Sequence, residues 1–487
     1  MLFKQAEPFA GKPAKPMPRD RIIPLIIAVA LFMENMDSTV IATSLPAIAA
    51  DLGTNPLALK LAVTSYLLSL AIFIPASGWT ADRFGARTVF RAAIAVFVLG
   101  SIGCALSSSL TDFVIARIVQ GMGGAMMTPV GRMVLVRSIS KRDLVNAMAW
   151  VTTPALIGPV LGPPVGGFIT TYASWHWIFL INVPIGLIGI VLATRYIDDI
   201  RAETRERFDT VGMVLAGLGI AGVAFGLSIM GLNFLPLSVV AALLIGGICF
   251  IVAYLMHARR TPNPALDLTL FRIPTFYASV TGGFIFRLGL GALPFLLPLM
   301  LQVGFGFSPF QSGSITFATA LGAMGMKWAT SRVLRRFGFR NILIYNGLIS
   351  TAFLAVCAAF TVNTPLAVML GLLFIGGFFR SLQFTSINTI AYADVDHARV
   401  SKATALASVS QQLAISAGVA IGAMGVELAV QFRGGGDLVA ADFPPAFLIV
   451  AGISALSALI FARLPADAGA EMANRMPAPV EGTDPRS

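Results

Sequence analysis

The sequence carries unusually little charge for its length. Only 12% of its 487 residues are Asp, Glu, Lys or Arg, whereas soluble chains usually carry about 25%. With three cysteines and three histidines, it offers no metal-ligand spacing and no disulfide framework. A phosphate-binding GxxxxGK[ST] loop and a constellation of catalytic nucleophiles are also missing. These absences argue against an ATP-driven pump, a metalloprotein and an enzyme, and predict that no cofactor is needed.

Long apolar runs take the place of charge. Hydrophobic residues make up 56% of the chain and the mean hydropathy is +0.83, spread evenly along it. Because about 20 apolar residues cross the hydrocarbon core as a helix, we predict an all-α polytopic membrane protein with fourteen transmembrane (TM) spans. The predicted spans cover 22–50, 58–79, 89–108, 112–136, 143–171, 175–196, 210–231, 235–257, 275–301, 308–329, 341–361, 364–391, 402–431 and 443–463.

Basic residues fall almost entirely on one side of this predicted topology. The N-terminal tail, the even-numbered loops and the C-terminal tail hold most of the 34 Lys and Arg, and the opposite side holds only Lys60 and Arg433. The positive-inside rule therefore predicts that both termini face the cytoplasm. The net charge of +11 is explained by this asymmetry, so we expect no nucleic-acid partner.

A short repeat divides the chain into two equivalent parts. The pattern RFGxR occurs at 83–87 and again at 336–340, 253 residues later. Because many transporters consist of symmetric halves with a substrate site between them, we predict two pseudo-symmetric six-helix bundles and an inserted pair of helices. The predicted divisions are a cytoplasmic tail at 1–21, the first bundle at 22–200, the inserted spans 7 and 8 at 201–260, the second bundle at 261–465 and a cytoplasmic tail at 466–487.

Two carboxylates interrupt the first span. The stretch LFMENMDSTVIATSLP contains Glu34 and Asp37, each of which costs about 2.5–3.5 kcal/mol near a bilayer centre. Three residues apart on a helix, both can face one side, and intramembrane charges usually face an interior pathway. We therefore predict that the pair faces the cleft between the bundles and carries protons during transport.

The repeat offset suggests a partner for these acids. Adding 253 to position 34 gives Arg287, midway along predicted span 9. If the bundles are symmetric, Glu34 and Arg287 occupy matching positions and could face each other across a wet cavity. The alternative is that Arg287 snorkels or pairs within its own bundle.

Other polar residues within the spans are candidates for the same pathway. Arg117 and Asp37 lie at comparable depths by the helix rise, so the two could pair. Arg380 could line the cytoplasmic half of the cleft or meet backbone carbonyls, and Gln120 is a further candidate for the cavity wall. We expect Glu427, near the outer end of span 13, to reach water.

Several segments resemble a known family. GWTADRFGARTV at 78–89, RIVQGMGGAMMTPVGR at 117–132, GPVLGPPVGG at 158–167 and MDSTVIATSLP at 36–46 resemble motifs of the major facilitator superfamily (MFS), and more narrowly its fourteen-helix drug:proton antiporters of the EmrB/QacA type. FGFSPFQSG and LGAMGMK are similar to the MdtD-like multidrug transporter branch. The resemblance covers nearly the whole chain.

The resemblance implies roles for residues of these motifs. Asp37 matches a membrane-embedded acid that binds protons or substrate, and Arg117 an arginine associated with proton release. The loop after span 2 would be a conformational gate that latches an outward-open state, formed by Gly78, Asp82, Arg83, Gly85 and Arg87. The antiporter motif of span 5 would supply the interface on which the bundles rock, through Gly158, Pro159, Gly162, Pro163, Gly166 and Gly167.

The predicted function is proton-coupled export of small amphipathic compounds, cations among them, by alternating access. Two alternatives stay open: export of one metabolite such as an amino acid, siderophore or organic acid, and a membrane sensor or assembly partner that transports nothing. We expect an integral protein of the bacterial inner membrane whose partners are a small-molecule substrate, protons and lipid. A monomer is expected, with membership of an efflux assembly as an alternative.

Overall fold

The computed structural model describes residues 19–139, 144–198, 208–229, 236–396 and 399–472. Long helices occupy most of these ranges and are numbered here in chain order. The first seven are α1 (Ile22–Thr43), α2 (Pro56–Phe84), α3 (Ala86–Ala105), α4 (Leu110–Ser138), α5 (Leu144–Tyr172), α6 (Trp177–Tyr196) and α7 (Thr210–Ile229). The others are α8 (Leu237–Ala258), α9 (Pro274–Gly304), α10 (Pro309–Phe337), α11 (Phe339–Ala359), α12 (Leu366–Ile390), α13 (Val400–Phe432) and α14 (Ala440–Phe461).

The helical content and the apolar lengths confirm the predicted fold class. Of the residues that the structure describes, 84% are helical, and they form 12 helices long and apolar enough to cross a membrane. Helices α5 and α10 have 29 residues each and extend about 43 Å at the α-helical rise, more than the hydrocarbon thickness. The predicted count of fourteen spans rests on including these two. We call α1–α6 the first half and α9–α14 the second half.

Burial separates central helices from peripheral ones. In α2 and α9, 78% of the most apolar 18-residue window is buried inside the protein, against 17% in α8. A helix that is apolar all round and contacts little protein is suited to a lipid environment. The α7–α8 pair therefore lies at the edge of the molecule, where α7 packs on α2 and α13.

Several predicted boundaries differ from the structure, and the largest difference is in span 10, which was predicted to end at residue 329 but continues as α10 to Phe337. Predicted span 1 continued to residue 50, but α1 ends at Thr43 and a separate short helix covers Leu45–Asp51. Pro46 at the start of this short helix lacks the amide hydrogen that a continuous helix would need, which favours a break here. Predicted span 2 ended at residue 79, whereas helical structure continues to Phe84.

The sequence repeat corresponds to a structural repeat. Gly85 separates α2 from α3 with φ of +93°, and Gly338 separates α10 from α11 with φ of +75°. Both amides donate to the carbonyl four residues earlier, that of Ala81 and that of Leu334. Because side chains other than glycine rarely adopt positive φ, glycine is required at both turns.

The two ends of the molecule are packed differently. One hydrophobic cluster joins residues of both halves, including Val40 and Leu57 of the first and Leu296 and Val426 of the second. Toward the opposite end, the main cluster of the first half and that of the second half, which contains Phe339, are separate, and a smaller cluster joins Ala71 of α2 to the inserted pair and to Ala403 of α13. We call the shared-cluster end the closed end and the other the open end.

Candidate functional site

A central cavity lies between the halves and extends toward the open end. Its volume is about 580 Å³, within the range of small-molecule sites. The first half contributes Thr39, Ala42, Thr43, Pro159 and Pro163, and the second contributes residues of α9, α10 and α12. A second space of about 370 Å³ lies beside it and shares Lys327, Thr385 and Thr389. The cavity is thus positioned to receive a small molecule from the open end.

Asp37 lies at the centre of a buried network inside the first half. Its side chain is 1% exposed, and Arg117 Nη1 of α4 lies 2.7 Å from Asp37 Oδ2. Asp37 Oδ1 accepts hydrogen bonds from Gln120 Nε2 at 2.8 Å and Asn182 Nδ2 at 3.0 Å. Arg117 also lies over the Tyr66 ring, 4.1 Å from its centroid. The structure therefore brings Asp37 and Arg117 together as an ion pair with both carboxylate oxygens satisfied.

This network corrects two expectations. Neither Asp37 nor Gln120 is among the residues that line the central cavity. Gln120 is fully buried and joins Asp37 to Ser101 of α3, with Gln120 Nε2 donating to Ser101 Oγ at 2.8 Å. The helix period gave the depth of these residues correctly, but the side of α1 and α4 that faces the cavity is set by packing against other helices.

Glu34 occupies a less constrained position in the same half. It is half-buried, and its Oε2 accepts a hydrogen bond from Thr128 Oγ1 of α4 at 2.7 Å. It is not among the residues lining the central cavity either. The two carboxylates of α1 thus differ: Asp37 is enclosed by three donors, and Glu34 accepts from one described donor.

Arg287 pairs within its own half, the alternative that the repeat left open. It is 3% exposed, and its Nη2 donates to Asn388 Oδ1 of α12 at 2.6 Å. The guanidinium also lies 5.6 Å from the centroid of Phe384. Glu34 contacts the fourth helix of the first half, and Arg287 contacts the fourth helix of the second half. The two residues therefore occupy equivalent positions, as the repeat predicted, but they do not meet across the cavity.

The polar part of the cavity wall consists of threonine and serine hydroxyls, two cationic side chains and one amide. Arg380 and Lys327 line it together with Asn388. Because Asn388 Oδ1 accepts from Arg287, its amide nitrogen is available to donate to a ligand. The described lining residues include no Asp or Glu. An ionised group in a low-dielectric site is costly without a counter-charge, so this wall is suited to an anionic group of a ligand.

The glycines of α5 permit close packing on α1. A Cβ added to Gly158 would lie 3.0 Å from the Phe32 carbonyl oxygen, and one on Gly166 would lie 2.5 Å from that of Val40. A Cβ on Gly162 would collide with Thr39. Glycines four residues apart therefore form one face of α5 that fits α1 directly.

The same helix also contacts the second half. A Cβ on Gly167 would collide with the Pro309 carbonyl group at the start of α10, and one on Gly313 would collide with that of Pro163. Pro159 and Pro163 line the central cavity. Helix α5 thus touches α1, the cavity and α10.

Further contacts close the end beyond the cavity. Gln302 Nε2 of α9 donates to the Thr43 carbonyl oxygen of α1 at 2.9 Å. Lys60 Nζ of α2 donates to Glu427 Oε1 of α13 at 2.8 Å. The expectation that Glu427 reaches water is therefore wrong, since it is 8% exposed and paired.

Two ion pairs at the open end each lie within one half. Asp82 Oδ1 lies 2.8 Å from Arg137 Nη2 of α4, and Asp267 Oδ2 lies 2.9 Å from Arg399 Nη2. Burial alone would raise the pKa of Asp267, but hydrogen bonds from Thr269 and Arg399 outweigh it and hold the pKa below its ordinary value. These pairs stabilise each half without tying the halves together.

The residues of the predicted gate are placed around the Gly85 turn. Gly78 lies within helix rather than in the turn, and a Cβ there would meet nothing within 4 Å. Arg83 is exposed beside Trp79, 5.6 Å from its ring centroid, and Arg87 follows in the first turn of α3. Of the two glycines in the predicted gate, only Gly85 forms the turn.

Four polar residues of these sites escaped sequence reasoning: Lys327 and Asn388 in the cavity wall, Asn182 beside Asp37, and Lys60 opposite Glu427. Each lies within an apolar helix, which marks it as costly to bury. The direction in which each side chain points could have been predicted only if the neighbouring helix had been known.

Comparison with known proteins identifies the family. The Major Facilitator Superfamily pattern matches residues 27–419 and 279–480. Proteins named multidrug resistance protein MdtD are 40% identical, one from Salmonella heidelberg (strain SL476) over 452 residues and one from Citrobacter koseri over 456, each covering 91% of this chain and 94% of the relative.

Solved structures share the fold at low sequence identity. A D-xylose-proton symporter is 17% identical with a TM-score of 0.65, covering 92% of this chain and 98% of the symporter. A bacterial homologue of the human lysosomal transporter Spinster is 15% identical with a TM-score of 0.64, covering 95% of this chain and 100% of the homologue. The chain is an integral membrane protein of the Major Facilitator Superfamily, in its MdtD-like branch.

Proposed function

We propose that this protein is a proton-coupled secondary exporter of small amphipathic compounds that works by alternating access, with no enzymatic step. The observation that carries the proposal is a cavity of about 580 Å³ built by both halves, extending toward one end of the molecule while the other end is sealed. Such a cavity is what an alternating-access carrier holds in one of its two states. The names of the MdtD relatives support a drug-like range of substrates.

The direction of transport follows from the proposed orientation. The open end carries Arg259, Arg335 and Arg399, whereas the closed end carries Lys60 and Arg433. By the positive-inside rule, the open end faces the cytoplasm and both termini lie there. The state described is then inward-facing, and a substrate would enter the cavity from the cytoplasm of a bacterial cell.

The proton would act through the first half. Asp37 accepts three hydrogen bonds, one of them from Arg117, so this state holds it as a carboxylate. A proton bound there would remove the charge that pairs with Arg117 and weaken the link between α1 and α4. Glu34, which accepts one described hydrogen bond from Thr128, is the acid that a proton can reach with less rearrangement.

Helix α5 would transmit this change to the closed end. Its glycines fit α1 directly, and its last turns touch α10 across the halves. A shift of α1 relative to α4 would therefore move the surface on which the seal depends. Tightly packed helices tend to switch between discrete arrangements instead of deforming continuously, which favours a two-state gate.

A second candidate function is export of one organic acid or other anionic metabolite. The specific observation is the cationic cavity wall formed by Lys327 and Arg380, with Asn388 presenting a donor. The same wall makes a purely cationic substrate unfavourable, because like charges would be brought together in a partly desolvated site. An amphipathic substrate with an anionic or zwitterionic group fits both candidates.

The proposal is tested by proton movement in everted membrane vesicles. A proton gradient is imposed, and dequenching of a pH-sensitive dye is followed as candidate compounds are added. The compounds are tested in matched sets of anionic, neutral and cationic analogues. Dequenching by many unrelated compounds supports drug export, and dequenching by one acid supports the metabolite exporter. A lack of response across a broad panel would favour the sensor or assembly partner.

Carrier variants make the same assay specific. We expect Asp37→Asn and Glu34→Gln to reduce proton coupling. Undiminished coupling in both variants would remove the acids of α1 from the mechanism. The protein is expected to work as a monomer, and chemical cross-linking in the native membrane distinguishes this from membership of an efflux assembly.

A further inference from the structure

A buried ion pair joins the two halves at the closed end. Lys60 begins the regular α-helical part of α2, and Glu427 lies in the last turns of α13, 367 positions later. Lys60 Nζ and Glu427 Oε1 are 2.8 Å apart, and the two side chains are 0% and 9% exposed. The pair therefore connects a helix of the first half to a helix of the second at a site almost closed to water.

The pair is poorly completed for a purely structural element. Glu427 Oε2 is buried with no hydrogen-bond partner in the described residues. Removing two charges from water is costly, and the attraction between them offsets that cost only when the remaining polar atoms are satisfied. The closed state thus contains charges that would gain solvation if the two helices separated.

Two other ion pairs differ from this one because each lies inside a single half. Arg433 and Asp442 also lie at the closed end, with Arg433 Nε 2.9 Å from Asp442 Oδ1, but they join α13 to α14 inside the second half. Asp82 and Arg137, at the open end, stay within the first half. A rigid-body movement of one half against the other would leave both of these pairs intact and would break the Lys60–Glu427 pair.

We propose that Lys60 and Glu427 form a charge latch that holds the closed end and is broken each time the transporter opens there. Paired, the two charges compensate each other. Exposed to water in the opposite state, each is solvated. A residue that loses its partner favours the open state, because its charge is tolerated only in water.

The latch is tested by the reactivity of a buried cysteine at the closed end. Thr43 is fully buried and lies at the contact with Gln302. A Thr43→Cys reporter is placed in a background without Cys104, Cys249 and Cys357. Because Thr43 also lines the central cavity, a membrane-impermeant maleimide is added to the outside of right-side-out vesicles, where it meets only the closed end. We expect Lys60→Met and Glu427→Gln each to increase the labelling rate by about tenfold or more, which corresponds to about 1.4 kcal/mol in the conformational equilibrium.

Two combined variants separate pairing from simple loss of packing. The double neutral variant, Lys60→Met with Glu427→Gln, removes both buried charges and is expected to label no faster than the parent. The swapped variant, Lys60→Glu with Glu427→Lys, should label more slowly than either single variant. Singles that label like the parent would overturn the proposal, and so would combined variants as reactive as the singles.

A matched control variant completes the test. Arg433→Gln breaks an ion pair at the same end inside one half, and labelling should not change. The inference rests on the alternating-access part of the proposed function, but labelling requires no substrate and no proton gradient. A failure to find an exported compound would therefore leave the latch result interpretable, and a failed latch would leave the transport assay unaffected.

Discussion

The two halves of this protein treat charge inside the membrane in opposite ways. In the first half, Asp37 is enclosed by Arg117, Gln120 and Asn182, and both carboxylate oxygens are satisfied. In the second half, Arg380 and Lys327 line an open cavity whose described lining residues include no acid. The charge network of the first half is completed in the sense that each charge has a counter-charge, although Asn182 Oδ1 within it has no described hydrogen-bond partner. The network of the second half is incomplete, because its cations have no described counter-charge in the cavity wall.

This difference suggests a division of labour. A completed network can respond to a proton, because protonation of Asp37 removes the partner of Arg117. An incomplete one can respond to a ligand that supplies the missing charge. We therefore assign proton binding to the first half and recognition of the substrate's polar group to the second, with α5 between them.

The largest expected effect comes from breaking the completed network. Arg117→Met leaves the Asp37 carboxylate buried without its counter-charge, and we expect a loss of about 3–5 kcal/mol of stability. Thermal unfolding of the purified protein in detergent measures the change. The double variant Arg117→Met with Asp37→Asn should recover part of the loss, and equal unfolding temperatures for the parent and Arg117→Met would contradict the network.

A smaller but more selective effect is expected in the cavity. Arg380→Gln removes a charged donor whose hydrogen bond to an anionic group is worth about 1.5–3 kcal/mol. Export of anionic compounds should fall by about 10- to 100-fold, while export of neutral analogues of the same size changes little. Arg433→Gln removes an equal charge away from the cavity and serves as the control. Equal losses for anionic and neutral compounds would instead indicate a general folding defect.

The smallest of these effects concerns the contact between the halves. In Gly313→Ala, the new methyl group meets the Pro163 carbonyl group, and such overpacking costs about 1–3 kcal/mol. The closed end should separate more readily, which the Thr43→Cys labelling rate measures. Gly78→Ala is the matched control, because its methyl group meets nothing within 4 Å. Faster labelling in both variants would show that the position of the glycine does not matter.

Local sequence features predicted much of the fold. Apolar runs gave the helices, and the RFGxR repeat located the equivalent turns at Gly85 and Gly338. The helix rise placed Asp37 and Arg117 at similar depths, and the structure pairs them. The small residues of α5 indicated close packing, which the contacts with α1 and α10 now specify.

What the sequence could not give is the rotation of each helix about its own axis. Glu34 and Asp37 can share a helix face and still point into one bundle, because that direction is fixed by tertiary packing. The Lys60–Glu427 pair joins positions 367 apart in sequence, and neither local pattern nor the repeat relates them. The cationic cavity wall likewise depends on tertiary packing, which brings Lys327 of α10 and Arg380 of α12 to the same cavity.

The division of labour is tested most directly by comparing substrate exchange with proton-driven accumulation in the same vesicles. Exchange of labelled for unlabelled substrate at equal pH on both sides needs binding and movement but no net proton transfer. We predict that Glu34→Gln and Asp37→Asn retain exchange and lose accumulation driven by a proton gradient. For an anionic substrate, Arg380→Gln should lose both exchange and accumulation. Retained accumulation in both acid variants, or full exchange of the anionic substrate in Arg380→Gln, would contradict the division of labour.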